Sequence, residues 1–178
     1  LASSSAASDV YKRQQPFRAI AHNGEINTFR GNKNWMKVHE QEMDSNLFED
    51  IENLKPVIQP GTSDSAALDN VFELLNISGQ PAPLAKLMLV PDAWSKKSKV
   101  LSKDHQQLFN FLNSTMEPWD GPAAIAGTDN EWVIAANDRN GLRPLRYTIT
   151  KDKFLFAGSE TGMIKLNEKK ILAKGRLG

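Results

Sequence analysis

The sequence has 178 residues, a formal net charge of +1, 40% hydrophobic and 24% charged residues, and no cysteine. That is long enough for one domain with a real core, and the near-neutral charge gives no electrostatic case for nucleic acid or an anionic membrane. Without cysteine the chain forms no disulfide and holds neither thiolate-ligated zinc nor an iron–sulfur cluster, and no apolar run approaches the ~20 residues that span a bilayer.

Residues 1–15 differ in character from the remainder of the chain. Leu1-Ala2-Ser3-Ser4-Ser5-Ala6-Ala7-Ser8 is a low-complexity tract that cannot bury enough apolar surface to offset its ordering entropy. It has neither the basic nor the apolar region of a targeting peptide. A non-native or disordered leader is expected over 1–15, and the folded unit over 16–178. Residues 17–28 suggest two short strands around Asn23-Gly24, since both residues tolerate φ > 0 and suit a type I′ hairpin turn. The same pair offers two neutral donors, the Asn23 side-chain NH₂ and the Gly24 backbone N–H. Two donors converging in a tight turn are what an oxyanion hole needs, and a hairpin tip can serve both ends.

Asn32 is expected to cap a helix over 34–43 whose apolar face is Trp35, Val38 or His39, and Met43, with His39 at its surface or edge. The acidic stretch 44–52 is solvated, and 56–61 is a loop punctuated by Pro60-Gly61. Apolar Ala67, Leu68, Val71, Phe72, Leu74 and Leu75 repeat with helical spacing, so a helix begins at Ser63 or Asp64. An aspartate there suits an N-cap and meets the positive end of the helix macrodipole. Residues 84–90 form a short buried helix ended by Pro91. Lys96, Lys97, Lys99 and Lys103 have no interleaved aromatics, which favours a solvated loop over a nucleic-acid site.

Residues 104–116 predict a further helix that buries Leu108, Phe109, Leu112 and Met116. A rigid Pro/Gly turn comes next, with Trp119 as a core anchor. From Ala123 the period changes to two. Short strands are expected over 123–127, 131–137, 146–150 and 154–158, separated by Asp129-Asn130, Asn140-Gly141 and Lys151-Asp152. Such short connections require antiparallel neighbours, and helices followed by an antiparallel meander argue for the α+β class. The block Asp138-Arg139-Asn140-Gly141-Leu142-Arg143-Pro144-Leu145 suggests a hairpin turn in which an arginine braces a neighbouring loop. The three histidines, His22, His39 and His105, lack metal-ligand spacing, so no metal site is expected.

Several blocks, in order, carry a resemblance. His22-Asn23-Gly24-Glu25-Ile26-Asn27-Thr28 runs on into Arg30-Gly31-Asn32-Lys33-Asn34-Trp35-Met36. Ser63-Asp64-Ser65, Pro91-Asp92-Ala93-Trp94, Glu117-Pro118-Trp119-Asp120-Gly121-Pro122-Ala123-Ala124, Ser159-Glu160 and Lys174-Gly175-Arg176-Leu177 come after it. Together with the 138–145 block they resemble the glutamine amidotransferase domain of glutamate synthase large chains, over nearly all of 16–178. That domain is a class II, N-terminal-nucleophile amidotransferase.

The resemblance implies an N-terminal-nucleophile hydrolase-like α-β-β-α sandwich with mainly antiparallel sheets, incomplete here at its N-terminus. It implies an N-terminal cysteine that attacks the side-chain amide of glutamine, its own α-amino group acting as base, with the oxyanion forming against Asn23 and Gly24. Asp64 is implied to hold the α-amino group of glutamine, because a carboxylate neutralises an ammonium and accepts its hydrogen bonds. The three residues should border one pocket the size of a single amino acid. In the resembled enzymes ammonia then reaches a distant flavin site, where 2-oxoglutarate becomes glutamate. No cofactor is therefore expected in this chain, while FMN and an iron–sulfur cluster are implied for the parent. The implied partners are glutamine, the remainder of the large chain, and a reductase small subunit or ferredoxin, all in the cytoplasm.

The chain lacks both the nucleophilic cysteine and the family's upstream arginine segment, so a piece of the enzyme that is inactive alone is expected. A non-catalytic glutamine-binding or scaffold module is one alternative. A different class II amidotransferase is another, opposed by Trp35-Met36 and the 117–122 block.

Overall fold

A computed structural model describes residues 17–93 and 101–177. The expected leader over 1–15, together with Trp94, Lys96, Lys97 and Lys99, lies outside the described residues. Strand β1 (Ile20–Gly24) leads into helix α1 (Phe29–Glu42) and a 3₁₀ turn (Ile51–Leu54). Helices α2 (Asp64–Ile77), α3 (Ala82–Leu89) and α4 (Lys103–Thr115) come next. The rest is β2 (Ala123–Thr128), β3 (Val133–Asn137), β4 (Leu145–Thr150), β5 (Leu155–Gly158) and β6 (Ile171–Leu177). The strands form two three-stranded antiparallel sheets, ordered β1-β2-β3 and β5-β4-β6. The α+β class expected from the sequence is the class observed.

The core lies between the first sheet and the helices. Cross-strand partners share a face, so Ile20, His22, Ile125 and Gly127 point one way. That face is buried: Ile20 and Ile125 join Leu68, Val71 and Phe72 of α2, Ala85 and Leu89 of α3, and Trp119 in a single cluster. Asn23 and Ala126, on the opposite face, are exposed. Helix α2 owes its fixed start to Ser63, whose hydroxyl accepts from Ala66 N at 3.2 Å. Trp119 anchors as expected, buried and donating its backbone N–H to Leu89 O at 2.7 Å.

Four expectations are corrected. The first concerns 17–28, which forms one strand rather than a hairpin: Asn23 and Gly24 are the last residues of β1 and pair with Ala124 and Ala123. Turn propensity in Asn-Gly is local, and pairing with a strand a hundred residues away overrides it. The second concerns α1, which starts at Phe29, directly after Thr28, and so runs a full turn further back than its apolar spacing predicts. Asn32 is not its cap; it is buried inside the helix, donating to Pro118 O at 3.1 Å and accepting from Thr28 Oγ1 at 2.6 Å. The inward face of α1 is therefore Asn32 and Met36, and Trp35 and Val38 are 51% and 45% exposed.

The third correction is smaller. In α4, Phe109 and Leu112 are buried as expected, but Leu108 is exposed. In the loop before α2, Val57 and Ile58 are core residues, held by Val57 N donating to Glu40 Oε1 at 2.7 Å. The fourth is topological: the strands are not one meander, because β3 and β4 lie in different sheets. The crossing is organised by Asp138, whose buried carboxylate accepts from the backbone N–H groups of Ala123, Asn140, Leu142 and Arg143 at 2.9–3.0 Å. Burial opposes its ionisation, yet those donors together hold the carboxyl below its ordinary value. Arg139 braces the neighbouring loops as the sequence suggested, donating to Pro91 O at 3.2 Å and to Asp120 Oδ2 at 3.0 Å.

Candidate active site

The phase of the β1–β2 ladder decides where the backbone donors of β1 point. Thr128 N donates to Ala19 O at 2.9 Å, and Glu25 N donates to Pro122 O at 3.0 Å. Within β1, alternation then turns the backbone groups of residues 21 and 23 toward β2. Those of residues 20, 22 and 24 turn toward the opposite edge, where the first sheet ends. Helix α2 supplies two carboxylates to that edge. Asp69, buried, accepts from Ile20 N at 2.8 Å and Ala19 N at 2.9 Å. Asp64 Oδ2 accepts from Ile26 N at 2.8 Å. The Gly24 N–H is thus directed outward along the edge, between the contacts made by the two aspartates.

Asn23 sits beside it on the exposed face of the sheet, and its Nδ2 donates to Ser159 Oγ at 2.9 Å. Ser159 is buried and comes directly after β5, so this hydrogen bond joins the two sheets. Asp64 is half-buried, and because Ser63 caps the helix its carboxylate is free of the N-cap role. Asn23 and Gly24 are consecutive, and Asp64 is tied to them through Ile26. The structure therefore places Asn23 and Gly24 at the end of β1 and ties Asp64 to Ile26 just beyond them, with the Asn23 side chain on the face opposite His22, the residue whose ring senses the Asp64 charge. Two cavities of about 280 and 380 Å³ lie elsewhere, against the second sheet, and none of the three lines either.

His22, inside the same segment, is buried on the helix-facing side. Burial lowers its pKa from the ordinary 6.5, and the nearby Asp64 carboxylate offsets only part of that. The unfolded chain therefore binds the proton more readily than the folded one. His22's contribution to stability is fully present above pH 6.5 and declines as pH falls through 6.5 toward the lower folded value. Urea midpoints measured across about pH 5–8 should fall on the acid side, and His22→Gln should flatten that slope. A slope unchanged by the substitution would refute this assignment.

Two residues here escaped sequence reasoning. Asp69 had a signal, a carboxylate set among the apolar positions of α2 beside Leu68 and Phe72. Ser159 had none beyond its place in a matching block, because its partner is 136 residues away. Among the described residues, no group of three or more His, Asp or Glu could hold a metal ion. No helix among them is long and apolar enough to cross a membrane.

Comparison with known proteins gives one family and consistent relatives. Residues 4–178 match the class II glutamine amidotransferases. The chain is 54% identical over 165 residues to the glutamate synthase [NADPH] large chain of Azospirillum brasilense, covering 92% of this chain and 11% of that protein. It is 47% identical over 169 residues to the glutamate synthase [NADH] of Saccharomyces cerevisiae, covering 94% and 8%. It is 43% identical over 166 residues to the ferredoxin-dependent glutamate synthase of Antithamnion sp., covering 92% and 11%. The chain thus spans about a tenth of the length of these curated relatives.

Proposed function

The chain belongs to the class II glutamine amidotransferases, and we propose that it forms part of the ammonia-releasing glutaminase domain of a glutamate synthase. The observation that carries this reading is the clustering of Asn23, Gly24 and Asp64 at one strand end, with Asp64 bound to Ile26 N. In this reading glutamine lies along the outer edge of β1. Its α-ammonium meets the Asp64 carboxylate, which neutralises it and fixes one end of the substrate. Attack on the side-chain amide places negative charge on its oxygen. The Asn23 NH₂ and the outward Gly24 N–H then stabilise that oxyanion, and they do so more in the transition state than in the ground state.

The 178 residues contain no cysteine, so the nucleophile belongs to another part of the polypeptide. They contribute oxyanion donors and the ammonium partner, and are inactive by themselves. The flavin and iron–sulfur chemistry that turns 2-oxoglutarate into glutamate belongs outside them too. So does the choice of a reductase subunit or ferredoxin, since relatives named for NADPH, NADH and ferredoxin all match this region.

The full-length protein should release ammonia and glutamate from L-glutamine, and residues 1–178 alone should not. A full-length protein that leaves glutamine intact would overturn the reading. Hydrolysis by residues 1–178 alone would overturn the placement of the nucleophile.

A further inference from the structure

We propose that Ser159 is a positioning residue for the reaction, holding the Asn23 side-chain amide where its donor meets the oxyanion. The proposal rests on the glutaminase reading of the site. Asn23 is exposed at the end of a strand, and an exposed asparagine amide has a broad terminal torsion that local structure barely restrains. A donor that swings freely must be ordered at the moment of reaction, which weakens the stabilisation it offers.

Ser159 removes that freedom. Its hydroxyl accepts one Nδ2 hydrogen of Asn23 at 2.9 Å. The amide is planar, so fixing one hydrogen on Ser159 also fixes the direction of the second, which is left for the substrate oxygen. The acceptor is itself held firmly. Ser159 is only 6% exposed and sits next to Gly158, which pairs with Arg146 in the second sheet. A side chain of the first sheet is thus oriented by a buried residue at the end of a paired strand of the second. The geometry of the oxyanion donor then depends on how the two sheets are docked.

The test is a double-mutant cycle in the full-length protein with L-glutamine as substrate. Ser159→Ala should lower kcat by about five- to ten-fold with little change in KM, the loss expected for one neutral hydrogen bond. Ser159→Thr keeps the hydroxyl and should restore most of that loss. In an Asn23→Ala background, Ser159→Ala should have no further effect on kcat, because the group it orients is gone. Three outcomes would overturn the proposal: additive losses in the double mutant, an unchanged kcat in Ser159→Ala, or a threonine variant as slow as the alanine one. If Asn23→Ala alone leaves kcat unchanged, the glutaminase roles themselves are wrong, and the cycle separates that failure from failure of Ser159.

Discussion

Gly24→Ala should cost the protein much of its stability around the end of β1, far more than an ordinary glycine-to-alanine change. A Cβ at this position would lie 1.8 Å from Pro122 O and 2.7 Å from Pro122 C, with φ at +154°. The obstruction is backbone, so no side chain can rotate away. Nor can the backbone easily retreat, because Glu25 N donates to that same Pro122 O at 3.0 Å and Asn27 N donates to Asp120 O at 2.7 Å. The facing segment has the matching requirement: a Cβ on Gly121 would lie 1.9 Å from Glu25 O. Two glycines thus let two chain segments cross in contact.

Overpacking of this kind costs about 1–3 kcal/mol and a strained φ costs about as much again, a large share of the ~5–15 kcal/mol that holds a domain together. Hydrogen exchange of the β1 and β2 amides in the full-length protein should therefore speed up by about 10²-fold or more. Two controls calibrate the result. Gly61 has φ +72° and nothing within 4 Å of an added Cβ, so Gly61→Ala should cost only the backbone strain. Gly31, inside α1 with nothing within 4 Å, should accept alanine with a gain of about 0.5–1 kcal/mol. Protection in Gly24→Ala equal to that in Gly61→Ala would show that the crossing is looser than the structure has it.

The same crossing explains what could be read from the sequence and what could not. Helix α2 was legible because its apolar residues repeat with helical period over two turns and more, and the hairpin strands β2–β3 and β4–β5 because alternation and turn pairs are local. Local propensity puts Asn23-Gly24 in a hairpin, whereas its glycine is required by contact with Pro122, which no local pattern reports. The inward face of helix α1 departs from its hydrophobic spacing for a related reason. Hydrophobic spacing selects Trp35 and Val38, whereas the structure buries Asn32, a polar residue satisfied by Pro118 O from a distant loop. The residue types of the proposed site, an amide, a glycine and a carboxylate, stand out in the sequence. Its assembly does not, since it depends on α2 lying along the outer edge of β1 and on Ser159 reaching across from the second sheet.

That assembly sharpens what substitutions at the site should do. Asn23→Ala in the full-length protein should lower kcat by roughly 10²–10³-fold while moving KM little, because its donor matters mainly once negative charge has formed on the substrate oxygen. On the proposed reading Asp64 has two jobs, and two substitutions separate them. Its carboxylate accepts from Ile26 N at 2.8 Å, two residues beyond Gly24, so it shapes the segment that follows Asn23 and Gly24. On the proposed reading it also neutralises the substrate ammonium. Asp64→Asn keeps an oxygen that can accept from Ile26 N but loses the charge, so it should raise KM by ten-fold or more with kcat largely preserved. Asp64→Ala removes both, so it should raise KM and also lower kcat as the 24–26 segment loses its anchor. If the asparagine variant instead loses kcat and keeps KM, the carboxylate acts on the reacting amide rather than on the ammonium. The substrate would then lie along the strand edge in the opposite direction.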